Sequence, residues 1–155
     1  GRAVCMGDRG EAFHYARDLL ESHRHNLVNG LNFVADKGVC RLNNIQYFHA
    51  HGEIRETIVG IIAGMSTSLD CVSRDMPIIG MAKSGSGTKV SARGNHDLIL
   101  KGLDLAIALG EAAAAVGGVG GGHDIAAGAT IPEEKESEFL ERLDAAVGAQ
   151  LKKRG

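Results

Sequence analysis

Five of the six residues from Gly117 to Gly122 are glycine, and the run ends on His123. No helix passes through such a stretch, since each interior glycine costs about 1 kcal/mol against alanine. The Leu- and Ala-rich helix predicted from about Gly102 to Val116 must therefore stop there, and the next element, a strand over Ala126–Ile131, starts beyond it. The run itself reads as a bend between the two. Backbone without Cβ atoms lets a ligand come close and take hydrogen bonds from bare N–H groups. A helical turn starting at Asp124 would aim its positive end at the same spot. His123 adds a donor that can carry charge near neutral pH. The alternative is a flexible linker, against which stand the ordered elements on both sides and the closing histidine.

Glycine is frequent throughout, with 22 in 155 residues, about twice the usual ~7%. Aromatic residues make up only 4% and Trp is absent, so the core must be built from Ile, Leu, Val, Met and Ala, with close packing through small residues. The length fits one domain. At 44% hydrophobic and 23% charged, the composition excludes a disordered tail. No apolar run approaches the ~20 residues that a bilayer needs, which excludes a membrane span, and no membrane partner is expected. The net charge of -2 gives no global positive field, so contact with nucleic acid must come from a local basic patch. Cys5, Cys40 and Cys71 form no CxxC pair and read as reduced thiols of a cytoplasmic protein. The N-terminus lacks the apolar core of a signal peptide. It starts at Gly1, as expected of a processed chain or a piece of something longer.

Residues 9 to about 36 read as a long helix, with Phe13, Ala16, Leu20, Leu27, Leu31 and Val34 at helical spacing and Gly38 as its stop. Short strands are expected at Val39–Leu42 and Ile45–His49, around the turn-like pair Asn43-Asn44. Residues 54–66 read as a helix with Ile54, Ile58, Ile61, Ile62 and Met65 on one stripe. Gly60 and Gly64 fall on another face, where they suit close packing. A polar connection over Ser66–Asp75 leads to a buried strand over Met76–Ala82, a turn at Ser84–Gly87 and a strand over Thr88–Arg93. Pro132 opens a last helix to about Lys152, packed through Phe139, Leu140, Leu143, Val147 and Leu151.

Side chains alternate along a strand, so Val90 and Ala92 point into the core while Lys89, Ser91 and Arg93 share the other, exposed face. Arg can grip a phosphate with two parallel hydrogen bonds, and Ser adds a short donor beside it. On pattern alone a merely solvated strand face is the alternative. Other site types fail on spacing. A dinucleotide-binding GxGxxG needs a preceding strand and a glycine where His123 stands, and Gly85–Lys89 has the wrong order for a Walker loop. His23/His25 and His49/His51 are the tight histidine pairs, without an evident third ligand, so surface histidines are expected and no metal site. No Ser-His-Asp or Cys-His set assembles, and no catalytic residue is assigned.

Lys89-Val90-Ser91-Ala92-Arg93, a long helix, and then Gly120-Gly121-Gly122-His123-Asp124-Ile125-Ala126-Ala127-Gly128-Ala129 resemble the DHH-associated C-terminal domain of DHH-superfamily phosphoesterases. Ile45–Phe48 and Val59–Met65 fit the subgroup of archaeal RecJ-like single-strand-specific exonucleases. The resemblance covers about residues 40–150. It implies an α/β fold, a mixed sheet of about five strands flanked by helices. It also implies a division into an N-terminal helical connector, residues 1–38, and a nucleic-acid-binding domain, residues 39–155. The family's phosphate-contacting SxR pair falls on Ser91 and Arg93, with Lys89 adding local charge. The loop lying against the bound nucleotide falls on Gly120, Gly121, Gly122 and His123.

Hydrolysis in this family uses two manganese or magnesium ions held by aspartates and an Asp-His-His motif of another domain. No Asp-His-His occurs in this sequence. The expectation is a substrate-binding half without the chemistry, partnered by single-stranded nucleic acid and by a DHH domain of the same protein. The C-terminal domain of alanyl-tRNA synthetase, which carries a related GGGH loop and binds transfer RNA, is one rival. The other is an interaction or dimerisation module, recruiting a replication factor or a second copy through small-residue helix faces at Gly60 and Gly64 or at Ala106, Gly110 and Ala114.

Overall fold

The computed structural model describes residues 6–154, with side chains described from residue 21 to residue 151, residue 22 excepted. The expectations placed on Cys5 and on the side chains of Phe13, Ala16 and Leu20 lie outside the described residues. The chain runs α1 (Met6–Lys37), β1 (Cys40–Arg41), β2 (Gln46–His49), α2 (Val59–Met65), β3 (Ile78–Ser84), β4 (Gly87–Arg93), α3 (His96–Leu100), α4 (Leu105–Ala115), β5 (Val119–Gly122), β6 (Ala126–Ile131) and α5 (Glu136–Arg154). The strands form one sheet in the order β1-β2-β3-β4-β6-β5, in which β2 and β3 are parallel and every other pair is antiparallel. This is the expected α/β fold with a mixed sheet. It has six strands instead of about five.

The sixth strand comes from the glycine run. Val119–Gly122 pairs with β6 as an edge strand, where a bend had been expected, and Asp124 starts no helical turn. Glycine has little intrinsic strand preference, so nothing local announces β5. It forms because α4 lies directly against it. A Cβ on Gly120 would stand 2.9 Å from the Leu109 carbonyl, so only glycine lets helix and strand approach this closely.

Helices cover both faces. Val90 and Ala92 of β4, Ala127 and Ala129 of β6 and Ile79 and Met81 of β3 pack against α4 and α5 through Leu105, Leu109, Phe139 and Leu143. On the opposite face Phe48, Ile78 and Ala82 pack under Val34 of α1 and Val59, Ile62 and Ala63 of α2. The helix expected over residues 54–66 is shorter. Residues 56–58 form turns, and Ile58 N–H donates to Arg55 O at 3.0 Å. Ile54, Ile58 and Ile62 are buried, whereas Ile61 and Met65 are exposed and leave the stripe assigned to them.

A short helix, α3, unforeseen in the sequence, precedes α4. Asn95 caps it by accepting from Leu98 N–H at 2.9 Å, and Asp104 caps α4 by accepting from Ile107 N–H at 3.2 Å. The buried Asp144 carboxylate of α5 accepts from the backbone N–H groups of Asn44 and Ile45 at 2.6 and 3.1 Å, fastening the β1–β2 turn. Cys40 and Cys71 are free thiols. Among the described residues no helix is long and apolar enough to cross a membrane.

Candidate functional site

The register of the sheet sets the site. On the face that carries α2, three rows run from β4 across β6 to β5. Lys89 stands opposite Thr130 and Val119, Ser91 opposite Gly128 and Gly121, and Arg93 opposite Ala126. His123 N–H donates to Ala126 O at 2.8 Å, so the ladder continues one residue past β5 and puts His123 in the row of Arg93. Lys89, Ser91, Arg93, Gly121 and His123 therefore share one face, with β4 and β5 about 10 Å apart, two strand spacings. Gly120 and Gly122 belong to the opposite pleat. Gly120 rests on α4, and Gly122 adopts φ 146° where the hairpin turns. What they can offer is main-chain, since the same alternation leaves their N–H and C=O groups on the outer edge of β5.

The face is not uniformly exposed, as alternation alone had suggested. Ser91 is buried beneath α2 and Arg93 is half-buried there. The two glycines of α2 make this possible. A Cβ on Gly60 would stand 3.0 Å from Arg93 Nη2 and 3.1 Å from Ser91 Oγ, and one on Gly64 would stand 3.7 Å from Arg93 Nε. Gly60 and Gly64 thus form the slot through which the arginine passes, and are not free to seat a partner helix. Gly110 of α4 likewise lies against β5, its Cβ position 3.5 Å from the Gly120 carbonyl.

Arg93 spends one donor, Nη1, on the Ala92 carbonyl at 2.9 Å. Among the described residues no carboxylate pairs with it. Burial pulls its pKa below the usual value, the mark of a cation partly stripped of water without a counter-charge. Among the described residues the buried Ser91 hydroxyl makes no hydrogen bond. Lys89 Nζ lies over Gly128, 3.8 Å from its Cβ position, while nothing lies within 4 Å of a Cβ on Gly121. The product is a bare backbone floor walled by α2, with the Ser91 hydroxyl and the Arg93 donors other than Nη1 left without an acceptor among the described residues. Buried polar groups are almost always paired, so these donors, side by side, can donate hydrogen bonds to an anion.

Sequence reading missed the end of this site. Arg93 also lines a cavity of about 110 Å³ with Thr67, Ser73, Arg74 and Asn95. The segment carrying Arg74, read only as a polar connection, is held in place. The buried Gln46 side chain bonds Ser73 N, Ser73 O and Met76 O at 2.7–2.9 Å, and Asn95 Nδ2 donates to Arg74 O at 2.9 Å. No local signal marks Gln46, because its partners are some 30 residues away.

Among the described residues no group of three or more His, Cys, Asp or Glu is placed to hold a metal ion. The residues present do not fit the two-metal centre that the family resemblance implies, and no hydrolytic step is assigned to them.

The DHHA1 domain family model matches residues 43–149. An uncharacterized protein of Methanocaldococcus jannaschii, MJ0831, is 39% identical over 153 residues, 99% of this chain and 32% of its own. The chain thus spans about a third of the length of that relative. RecJ of Thermus thermophilus in complex with manganese superposes with a TM-score of 0.69 at 16% identity, covering 92% of this chain and 20% of that one. The C-Ala domain of Aquifex aeolicus alanyl-tRNA synthetase superposes with a TM-score of 0.55 at 14% identity, covering 70% of this chain and 96% of that one. At these identities the two superpositions establish a shared fold.

Proposed function

Because the chain belongs to the DHHA1 domain family, we propose that it is the nucleic-acid-binding part of a RecJ-like, metal-dependent single-strand exonuclease or related phosphoesterase. Residues 39–155 hold the substrate, and residues 1–38 connect to a catalytic DHH domain. Manganese or magnesium, held by that domain, would supply the activated water. This chain's own residues bind and orient. Arg93 and Ser91 clamp a backbone phosphate through charge-assisted hydrogen bonds. Lys89 holds a neighbouring phosphate. The edge amides of Gly120 and Gly122, the open backbone at Gly121 and the His123 imidazole close over the terminal nucleotide. The location is cytoplasmic.

The observation that carries this reading is the Ser91–Arg93 couple, which has no carboxylate partner among the described residues and faces the Gly128–Gly121 floor. RecJ covers more of the chain than the alanyl-tRNA synthetase domain does, which supports the exonuclease reading over the transfer-RNA one. Binding of a fluorescent single-stranded oligonucleotide at low salt tests it. Arg93→Ala is expected to weaken binding about tenfold or more, as losing a charged hydrogen-bond partner costs about 1.5–3 kcal/mol. An unchanged affinity in a folded variant would overturn it.

A further inference from the structure

A second site lies at the far edge of the sheet, on ground the phosphate face does not use. The ends of α1, β2 and α5 border a cavity of about 860 Å³, within the range of small-ligand pockets. Its lining includes Phe33, Tyr47, His49, His51, Glu53 and Glu136. The Tyr47 and His49 side chains stand on the sheet face opposite Ser91, since Tyr47 pairs with Ile79 and His49 with Met81. The two sites are therefore independent.

Two imidazoles form a plate beside this cavity. The rings of His49 and His51 stack with centroids 4.0 Å apart and planes 17° from parallel. His49 Nδ1 accepts from the His51 backbone N–H at 3.0 Å, so the neutral ring carries its hydrogen on Nε2 and donates to Glu136 Oε2 at 3.0 Å. Thr88 Oγ1 donates to the same carboxylate oxygen. To bring its ring onto the pile, His51 adopts φ 52°, the one non-glycine residue at positive φ among those described. Histidine is among the side chains that tolerate this region, and the turn is held by the His51 N–H on His49 Nδ1 and by the Lys83 N–H on the His51 carbonyl at 2.8 Å. His51 is exposed, and an exposed ring held in place in this way fits a platform for another ring.

The polar groups around the plate select the ring's chemistry. Glu53 and Glu136 border the cavity against one cation, Lys37, which disfavours a polyphosphate. Glu136 Oε1 makes no hydrogen bond among the described residues and can accept one from an amine. We propose that this cavity binds a nucleoside whose base carries an exocyclic amine and which bears no phosphate, stacked against the His49–His51 plate and Tyr47, with its amine on Glu136.

The test is a titration of the 155-residue chain with adenosine, followed by NMR. Adenosine is expected to shift resonances of Tyr47, His49 and His51 and to leave the amides of Ser91 and Gly121 in place. AMP and uridine should each bind at least about fivefold more weakly, one for its phosphate and the other for its missing amine. His51→Gly removes the ring at a position whose backbone glycine adopts readily, so the fold persists while affinity falls about tenfold, as expected on losing one stacking partner. Arg93→Ala should leave this titration unchanged, whatever it does to oligonucleotide binding. Absence of shifts up to roughly 10 mM adenosine, equal affinity for AMP, or shifts confined to the Ser91–Gly121 face would overturn the proposal.

Discussion

Arg93 carries its charge into a slot that offers it no counter-ion among the described residues. Such a placement costs stability unless an anion arrives. Replacing Arg93 with Met keeps the aliphatic stem and removes the uncompensated charge. The expected result is opposite movement of two observables. Oligonucleotide affinity falls, while Tm rises by about 2 °C, on a scale where 1 kcal/mol is worth ~2–4 °C at this chain length. A thermal melt and a binding isotherm on the same sample check it, and a fall in Tm would assign Arg93 a structural role. Gly121 supports a cleaner steric test, because a side chain there meets nothing within 4 Å. Gly121→Val should leave Tm unchanged, as valine suits a strand, yet weaken oligonucleotide binding about tenfold by standing in the floor of the site. Preserved affinity would remove Gly121 from the interface. The alternation of Lys89, Ser91 and Arg93 was legible from a six-residue stretch, since strand periodicity is local. The burial of Ser91 was not, because it depends on Gly60, which is 31 positions earlier in the chain.

Elements differ in how much of them the sequence declares. The long apolar periodicities of α1, α4 and α5 and the hairpin of β3 and β4 declare themselves, because their signals lie within one segment. β5 does not, since glycine is silent about strands and this one exists only through pairing with β6 and contact with α4. The first turn expected of α2 is likewise absent, although its isoleucines are buried all the same. Burial fixes which residues go inside more firmly than it fixes the backbone that takes them there. Asp144 shows the same non-local dependence, as its carboxylate fastens the β1–β2 turn to α5 from 100 residues away. Asp144→Ala should destabilise the fold by about 2 kcal/mol, since the buried Ile45 N–H and the half-buried Asn44 N–H both lose their acceptor. Chemical denaturation checks this, and a change below about 0.5 kcal/mol would mean that water replaces the carboxylate.

At the scale of the whole molecule, the net charge of -2 places the burden of any polyanion binding on a few local cations. The family match covers most of the chain and identifies its fold, whereas the proposed grip on nucleic acid rests on the sheet register that sets Lys89, Ser91 and Arg93 beside Gly121 and His123. That grip has a signature that apolar docking of a protein partner does not share. Each phosphate neutralised on a single strand releases counter-ions and contributes about -0.7 to the slope of log K against log salt. Two contacts, from Lys89 and Arg93, predict a slope near -1.4 for the intact chain, falling to about -0.7 in Arg93→Ala. The salt titration of oligonucleotide binding with these two proteins is the most direct measurement. Halving of the slope supports the account, and a slope that Arg93→Ala leaves unchanged contradicts it.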